Sequence, residues 1–271
     1  MTFVGPGPQT AMGLAQEWCS KSTILCRWTK NFNWNDCFIY KKMMVNFLKI
    51  FQKLDDIIYY LFSNRCNEEK FLKNFFKKKN LVIIDAGGNL GAYIDLLEKN
   101  FFIRKGFIFE PSRECEIYLK KHYNKKYTII NQALSNIHKK KIFYENEVLS
   151  QSSLIQKNNA FNKNFKIKKS YTIQCTTIDN FYKKNKLNNI FDILKIDCEG
   201  EDYNVLKGSK NLLINKRIKL IKIEIENNSK LIKIINFLKK YDYNLVTITK
   251  NKFYEDKLIF IDAYFSSKKF L

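Results

Sequence analysis

Acidic residues at the ends of short apolar runs carry most of the chemistry this sequence offers. Leu81-Val82-Ile83-Ile84 runs into Asp85, and Gly87, Gly88, Asn89 and Gly91 follow at once. Gly106-Phe107-Ile108-Phe109 ends at Glu110, nineteen residues after Gly91. Ile193-Leu194-Lys195-Ile196 ends at Asp197, with Glu199, Gly200 and Glu201 just behind. An acid at the tip of a second strand is where a nucleotide-binding α/β fold grips ribose hydroxyls, so Glu110 points to a nucleoside-bearing cofactor. Three acids at one tip repel one another unless something positive sits among them. Lys195, a metal ion or a sulfonium could be that partner, and Asp197 could also act as general base on a hydroxyl. Glu201 and Asp202 fit a plainer role, favouring the start of a helix.

The first loop narrows the cofactor. A carboxylate at Asp85 can accept from loop amides or from the amino group of an amino-acid-like cofactor. S-adenosylmethionine carries such a group and a dinucleotide does not. The loop reads D-A-G-G-N-L-G rather than G-x-G-x-x-G, so there is no diphosphate cradle. Pro111 turns the chain after Glu110, and Ser112 is placed to cap the helix that follows. In Lys222-Ile223-Glu224-Ile225-Glu226 the two-residue period puts both glutamates on one face. Glu224 then makes either a structural ion pair or a substrate contact.

Apolar strands alternating with helical segments must hold these tips in place. Strands are expected over 81–85, 106–110, 127–131, 190–196, 219–225, 243–248 and 257–263, and helices over 90–99, 112–122, 201–213 and 229–240. That alternation predicts a parallel sheet with helices on both faces. The link 250–256 is too short for a crossover helix, so the last two strands form an antiparallel hairpin. Residues 132–180 hold short β-like pieces, 140–145 and 170–175, in a polar stretch that reads as an insertion or lid, with 146–170 the expected cover over the acceptor. Residues 1–35 hold two of the three prolines and three of the nine glycines and read as a poorly ordered tail. Apolar residues recur at helical spacing from Phe38 to Phe62 with lysines between them. This helix fits either packing on the domain that follows or peripheral contact with a membrane. The division is therefore a tail (1–35), a helical extension (36–78) and a main domain (79–271).

Composition sets bounds. Hydrophobic residues make up 45% of 271, enough for a packed core. The net charge of +22 would suit an anionic partner. The lysines are nonetheless spread along the chain, and Lys, Asn, Ile, Phe and Tyr are all residues of AT-rich codons, which gives a plainer source for the charge. The seven cysteines form no CxxC pair, and two histidines leave little for a metal site, so no metal is expected. No apolar run approaches the roughly 18 residues of a membrane helix. The start of the chain lacks a secretory pattern, and a cytoplasmic protein is expected.

The segments 84–91, 109–112, Asn131-Gln132-Ala133-Leu134-Ser135, Ser152-Ser153-Leu154, Thr177-Ile178-Asp179, 194–200, 205–208 and Ile223-Glu224 occur in one order over about half the chain. Together they resemble the FkbM family of S-adenosylmethionine-dependent methyltransferases. The resemblance implies a class I methyltransferase fold, Rossmann-like, with a seven-stranded α/β sheet, mostly parallel, ending in an antiparallel hairpin. It also implies methyl transfer to oxygen, often on a sugar or secondary metabolite, with a small-molecule or glycan acceptor. By position, Asp85, Gly87, Gly88, Asn89 and Gly91 would line the methionine end of the cofactor. Glu110, with Ser112 beside it, would hold the ribose, and Gln132, Ala133 and Leu134 would lie near the adenine. Asp197 and Glu199 would face the acceptor. Gly88 stands where the family usually has alanine, a change expected only to loosen the turn.

The chemistry so implied is in-line displacement at a methyl carbon, accelerated largely by alignment. The sulfonium loses its charge during transfer, so carboxylate contact with sulfur would favour the ground state. Asp197 is therefore placed at the acceptor hydroxyl. An RNA acceptor, suggested by the charge, and a non-catalytic scaffold of the same fold are the alternatives. No interleaved aromatic and basic pattern supports nucleic acid as the partner. The missing dinucleotide fingerprint disfavours a nicotinamide dehydrogenase.

Overall fold

Seven strands form one sheet in the order Tyr127–Ile130 (β3), Phe102–Phe109 (β2), Asn80–Ala86 (β1), Phe191–Ile196 (β7), Ile218–Ile225 (β8), Lys257–Ser267 (β10) and Tyr243–Tyr254 (β9). In the computed structural model the described residues are 65–77, 80–123, 127–146, 152–155, 167–226, 228–254 and 257–271. The chain divides into two compact units, Met1–Leu61 and Phe62–Leu271, and the described residues lie in the second. The expected tail over 1–35 and helix over 38–62 fall outside the described residues.

The first five strands of the sheet pair in parallel, whereas β10 runs antiparallel to both β8 and β9. The alternation predicted this arrangement, including the final hairpin. After β3 the chain recrosses the sheet to lay β7 beside β1. The strand order reverses there, and in open α/β sheets ligands bind beyond the carboxyl ends of the strands at such a point.

Both faces are covered, as near-continuous apolar strands require. Val82, Ile84, Leu194, Ile196 and Ile223 pack with Phe181, Val205, Leu206, Leu213, Ile234 and Leu238. These come from α4 (Ile178–Lys184), α5 (Asp202–Lys207), α6 (Lys210–Ile214) and α7 (Asn228–Lys239). The opposite face, with Leu81, Ile83, Ile193 and Leu220, packs on α1 (Arg65–Phe75), α2 (Ala92–Glu98) and α3 (Arg113–Tyr123). A buried charge seats α1. The Lys222 ammonium on β8 lies 2.8 Å from Glu68 Oε1 and 3.1 Å from Asp262 Oδ2, over the ring of Tyr93. Tyr264 also donates to Glu68.

Two details differ from the sequence pattern. The single helix expected over 201–213 is broken at Gly208 and Ser209. A Cβ at Gly208 would lie 2.2 Å from the Ser135 carbonyl oxygen, so the chain must pass the backbone at Ser135 without a side chain. Helix α4 was not expected. Its Thr177 cap accepts from Asn180 N at 2.9 Å, and Asp179 accepts from Asn211 N and Leu212 N at the start of α6.

The polar stretch between β3 and β7 builds a second, three-stranded sheet in the order β4-β6-β5, formed by β4 (Ala133–Leu134), β5 (Lys140–Asn146) and β6 (Ile167–Thr176). Its small core holds Ala133, Phe143, Ile173 and Cys175. Residues 147–151 and 156–166 of the expected cover lie outside the described residues.

Candidate active site

The loop after β1 is bent by backbone geometry that only certain residues tolerate. Gly87 and Gly91 take φ of 82° and 85°, and Asn89 takes 46°. Glycine is favoured in this left-handed region and asparagine tolerated. Protein atoms, not open space, surround these glycines. A Cβ on Gly87 would lie 1.9 Å from the Asp197 carbonyl oxygen, and one on Gly91 would lie 2.5 Å from the Tyr123 ring. The loop is thus pressed between the β7 tip and α3. Gly88 is equally constrained, since its Cβ would sit 2.2 Å from Ile108 Cγ2. Glycine at that position does more than loosen the turn. It lets the loop rest on β2.

Asp85 lies beneath this loop with no exposure. No loop amide donates to it, and Oδ2 accepts no hydrogen bond. Its partner is Lys195, directly across in the β1–β7 register, with Nζ 3.1 Å from Oδ1. The same ammonium donates to the Gly87 carbonyl at 2.6 Å and lies 3.5 Å from Asp197 Oδ2. Lys195 is therefore the positive charge among the acids. Burial pushes Asp85 upward, and the lysine offsets only part of that. For Lys195, burial disfavours the charge, but Asp85 and Asp197 outweigh it and hold the lysine above its usual range.

Glu110 joins two loops. Its Oε2 accepts from Asn89 N and its Oε1 from Ser112 N, both at 2.7 Å. Burial nevertheless raises its pKa from 4.5 to about 7, the two amide bonds opposing the rise. Ser112 caps α3 as its position predicted, accepting from Cys115 N at 3.4 Å. Asn131, beyond β3, donates to the carbonyls of Glu110 and Pro111. Gln132 N donates to the Ile130 carbonyl, and Ala133 and Leu134 pair with β6 and bury their side chains. Asp85, Gly87, Gly88, Asn89, Gly91, Glu110 and Ser112 thus form one bonded cluster at the carboxyl edge, with the 131–134 turn against it.

Asp197 stands at the β7 tip with its side chain 38% exposed. Behind it, Glu199 has φ 51° and Gly200 φ 105°. Asp202 closes this loop by accepting from Cys198 N at 2.7 Å and Gly200 N at 3.1 Å, and burial raises its pKa to about 6. Glu201 stands at the N-cap of α5, as expected, but its carboxylate makes no capping bond. It accepts from Ser135 Oγ, Asn204 Nδ2 and Lys141 Nζ, tying the loop to the second sheet. Beside the loop a groove of about 190 Å³ is lined by Tyr203, Asn204, Glu224, Lys230 and Lys233 among others.

Three contributors were given no role by the sequence: Asn131 and Ser153, which lie within the family-like segments, and Glu145. Glu145 is fully buried on β5 and accepts from Ser112 Oγ at 3.0 Å and Tyr171 Oη at 2.8 Å, with Lys169 Nζ 2.9 Å away. Nothing in its local sequence separates it from a solvated strand residue. Among the described residues no cluster of His, Cys, Asp and Glu could hold a metal ion, and no helix is long and apolar enough to cross a membrane.

A seven-stranded sheet in this order, with a glycine loop after the first strand and an acid ending the second, defines a class I methyltransferase. The family described as Methyltransferase FkbM domain matches residues 85–245, more than half of the chain. The chain belongs to the FkbM methyltransferase family, for which S-adenosylmethionine is the expected donor. No curated protein matches it. Among solved structures it is similar to the FkbM methyltransferase of Methylobacillus flagellatus KT, with 14% identity and TM-score 0.47, covering 69% of this chain and 44% of that one. The chain thus spans less than half of that relative's length. A putative RNA methyltransferase from Pyrococcus horikoshii gives 11% identity and TM-score 0.42, covering 74% and 80% of the two chains. TrmK of M. capricolum, solved with S-adenosyl-homocysteine, gives 13% identity and TM-score 0.39, covering 70% and 64%.

Glu110 fits this donor. Each carboxylate oxygen accepts one amide and has a second lone pair, so both ribose hydroxyls can still be accepted. The shared lysine leaves one surplus negative charge when Asp85, Lys195 and Asp197 are all ionised, which suits a donor whose sulfonium gives it a net positive charge.

Proposed function

We propose that the chain transfers a methyl group to a hydroxyl oxygen of a sugar or secondary metabolite, with Asp197 facing the acceptor. One observation supports this most. Asp197 is a partly exposed carboxylate at the strand tip next to the cofactor loop, whereas Asp85, Glu110, Glu201 and Asp202 are all buried.

In this reading the bound donor supplies an electrophilic methyl carbon. Glu110 holds the ribose diol, the backbone of Gly87, Asn89 and Gly91 lines the methionine end, and the 132–134 turn borders the adenine. Asp85 acts beneath the loop rather than on the donor, through Lys195. Asp197 accepts the proton of the acceptor hydroxyl as the new carbon–oxygen bond forms and the methyl carbon–sulfur bond breaks, the donor leaving as a neutral thioether, and Lys195 lies 3.5 Å from that carboxylate. Glu199 lies on the same loop and borders the acceptor. Alignment of the hydroxyl with the carbon–sulfur bond does most of the work.

Mass spectrometry of host glycans and small metabolites, with and without the active protein, tests the assignment. The expected result is a species heavier by one methyl that appears only with the active protein. The charge of +22 favours RNA as a second reading. A gel shift that weakens steeply with salt, together with methylated RNA and unmethylated metabolites, would establish it instead.

A further inference from the structure

The Ser152-Ser153-Leu154 segment lies far in sequence from Glu110 and from Asp197, yet it reaches the acceptor loop. Ser153 Oγ donates to the Glu199 carbonyl at 2.7 Å and accepts from Ile155 N at 3.0 Å. Ser153 is buried and its hydroxyl both donates and accepts, which fixes its orientation. The segment is itself held firmly. Ser153 exchanges two backbone hydrogen bonds with Tyr144, at 2.9 and 3.0 Å, and Ser152 Oγ accepts from Asn146 N at 3.0 Å. Next to Tyr144, Glu145 is bonded to Ser112, whose amide holds Glu110. Strand β5 therefore grips the ribose side of the site and, through Ser153, the acceptor side.

The residue that Ser153 grips is the strained one. Glu199 is a non-glycine residue at positive φ, a conformation that persists only where the surroundings enforce it. We infer that Ser153 is a positioning residue for methyl transfer: its hydroxyl fixes the Glu199 backbone and so sets the loop from Asp197 to Gly200 against the acceptor. This rests on the reading of that loop as the acceptor side.

Ser153→Ala tests the inference, with Ser153→Thr as the variant that restores the hydroxyl. Cofactor affinity by calorimetry should change less than about twofold, because Glu110 and the glycine loop are untouched. Hydrogen exchange at the amides of 198–200 should quicken at least about tenfold in Ser153→Ala and return toward the wild-type rate in Ser153→Thr. Tritiated methyl transfer from S-adenosylmethionine into host metabolite extract should fall at least about tenfold in Ser153→Ala and recover in Ser153→Thr. Wild-type exchange rates, or wild-type transfer, in Ser153→Ala would overturn the inference. If wild-type protein labels nothing in the extract, the acceptor assignment fails by itself, and the exchange rates still decide whether Ser153 holds the loop.

Discussion

Lys195 on β7 sits opposite Asp85 on β1, and its ammonium spans the 3.1 Å to the buried carboxylate while also holding the Gly87 carbonyl. One side chain therefore neutralises the floor of the cofactor loop and pins the loop above it. Removing it would strand Asp85 in the core. Lys195→Met should cost about 3–5 kcal/mol of stability. Burial already raises Asp85, and a protonated carboxyl needs no cation, so the loss should be smaller at pH 5 than at pH 8. Denaturant melts at the two pH values check this, and Asp85→Asn in the Lys195→Met background should recover part of the loss.

Glu110 predicts a pH dependence of cofactor binding. Its pKa in the folded protein is about 7 against an ordinary 4.5, so the folded state keeps a proton that the unfolded chain has lost. Its contribution to stability falls as pH rises between those values. Ribose hydroxyls donate to the ionised form, so cofactor affinity runs the other way. It should rise with pH, by up to about tenfold per unit below 7, and level off above. Glu110→Gln should bind more weakly and with a flatter profile by calorimetry. Asp202 also rises, to about 6, but lies on the acceptor loop and persists in that variant. A profile as steep in Glu110→Gln as in wild type would remove Glu110 from the ribose site.

Asp197→Asn separates binding from transfer. The amide keeps the shape but cannot take a proton, so cofactor affinity should stay within a few-fold while methyl transfer drops by about 100-fold or more. Single-turnover assays with tritiated donor measure both. Unchanged transfer would exclude Asp197 as the base.

Packing around Gly88 gives a prediction independent of the acceptor. Gly88→Ala would drive a methyl into Ile108 Cγ2 and should cost about 1–3 kcal/mol. Ile108→Leu removes that branch. A double-mutant cycle should show the two changes coupled favourably, and simple additivity would count against the contact.

The strand tips were the legible part of this molecule. Apolar runs with β-strand length and acids at their ends located Asp85, Glu110 and Asp197, because a buried parallel strand has few ways to end. Ser112 was readable as a cap from its place before a helix. The roles of Asn131, Glu145 and Ser153 were not, although Asn131 and Ser153 lie in family-like segments, because their partners are tens of residues away. Glu201 was read only in part, for a related reason. An acid before a helix has a local explanation in the helix dipole, and only the approach of Lys141 and Ser135 replaces it with a long-range one. Gly88 marks the limit of reading a turn alone, since the atom that demands glycine belongs to β2.

The placement of β10 between β8 and β9 bears on how the protein is made. Strand β9 leaves the ribosome before β10, the one strand it pairs with among the described residues. Until β10 threads into that gap, β8 and β9 both present bare edges. The nascent chain therefore passes through an interval in which it is adhesive.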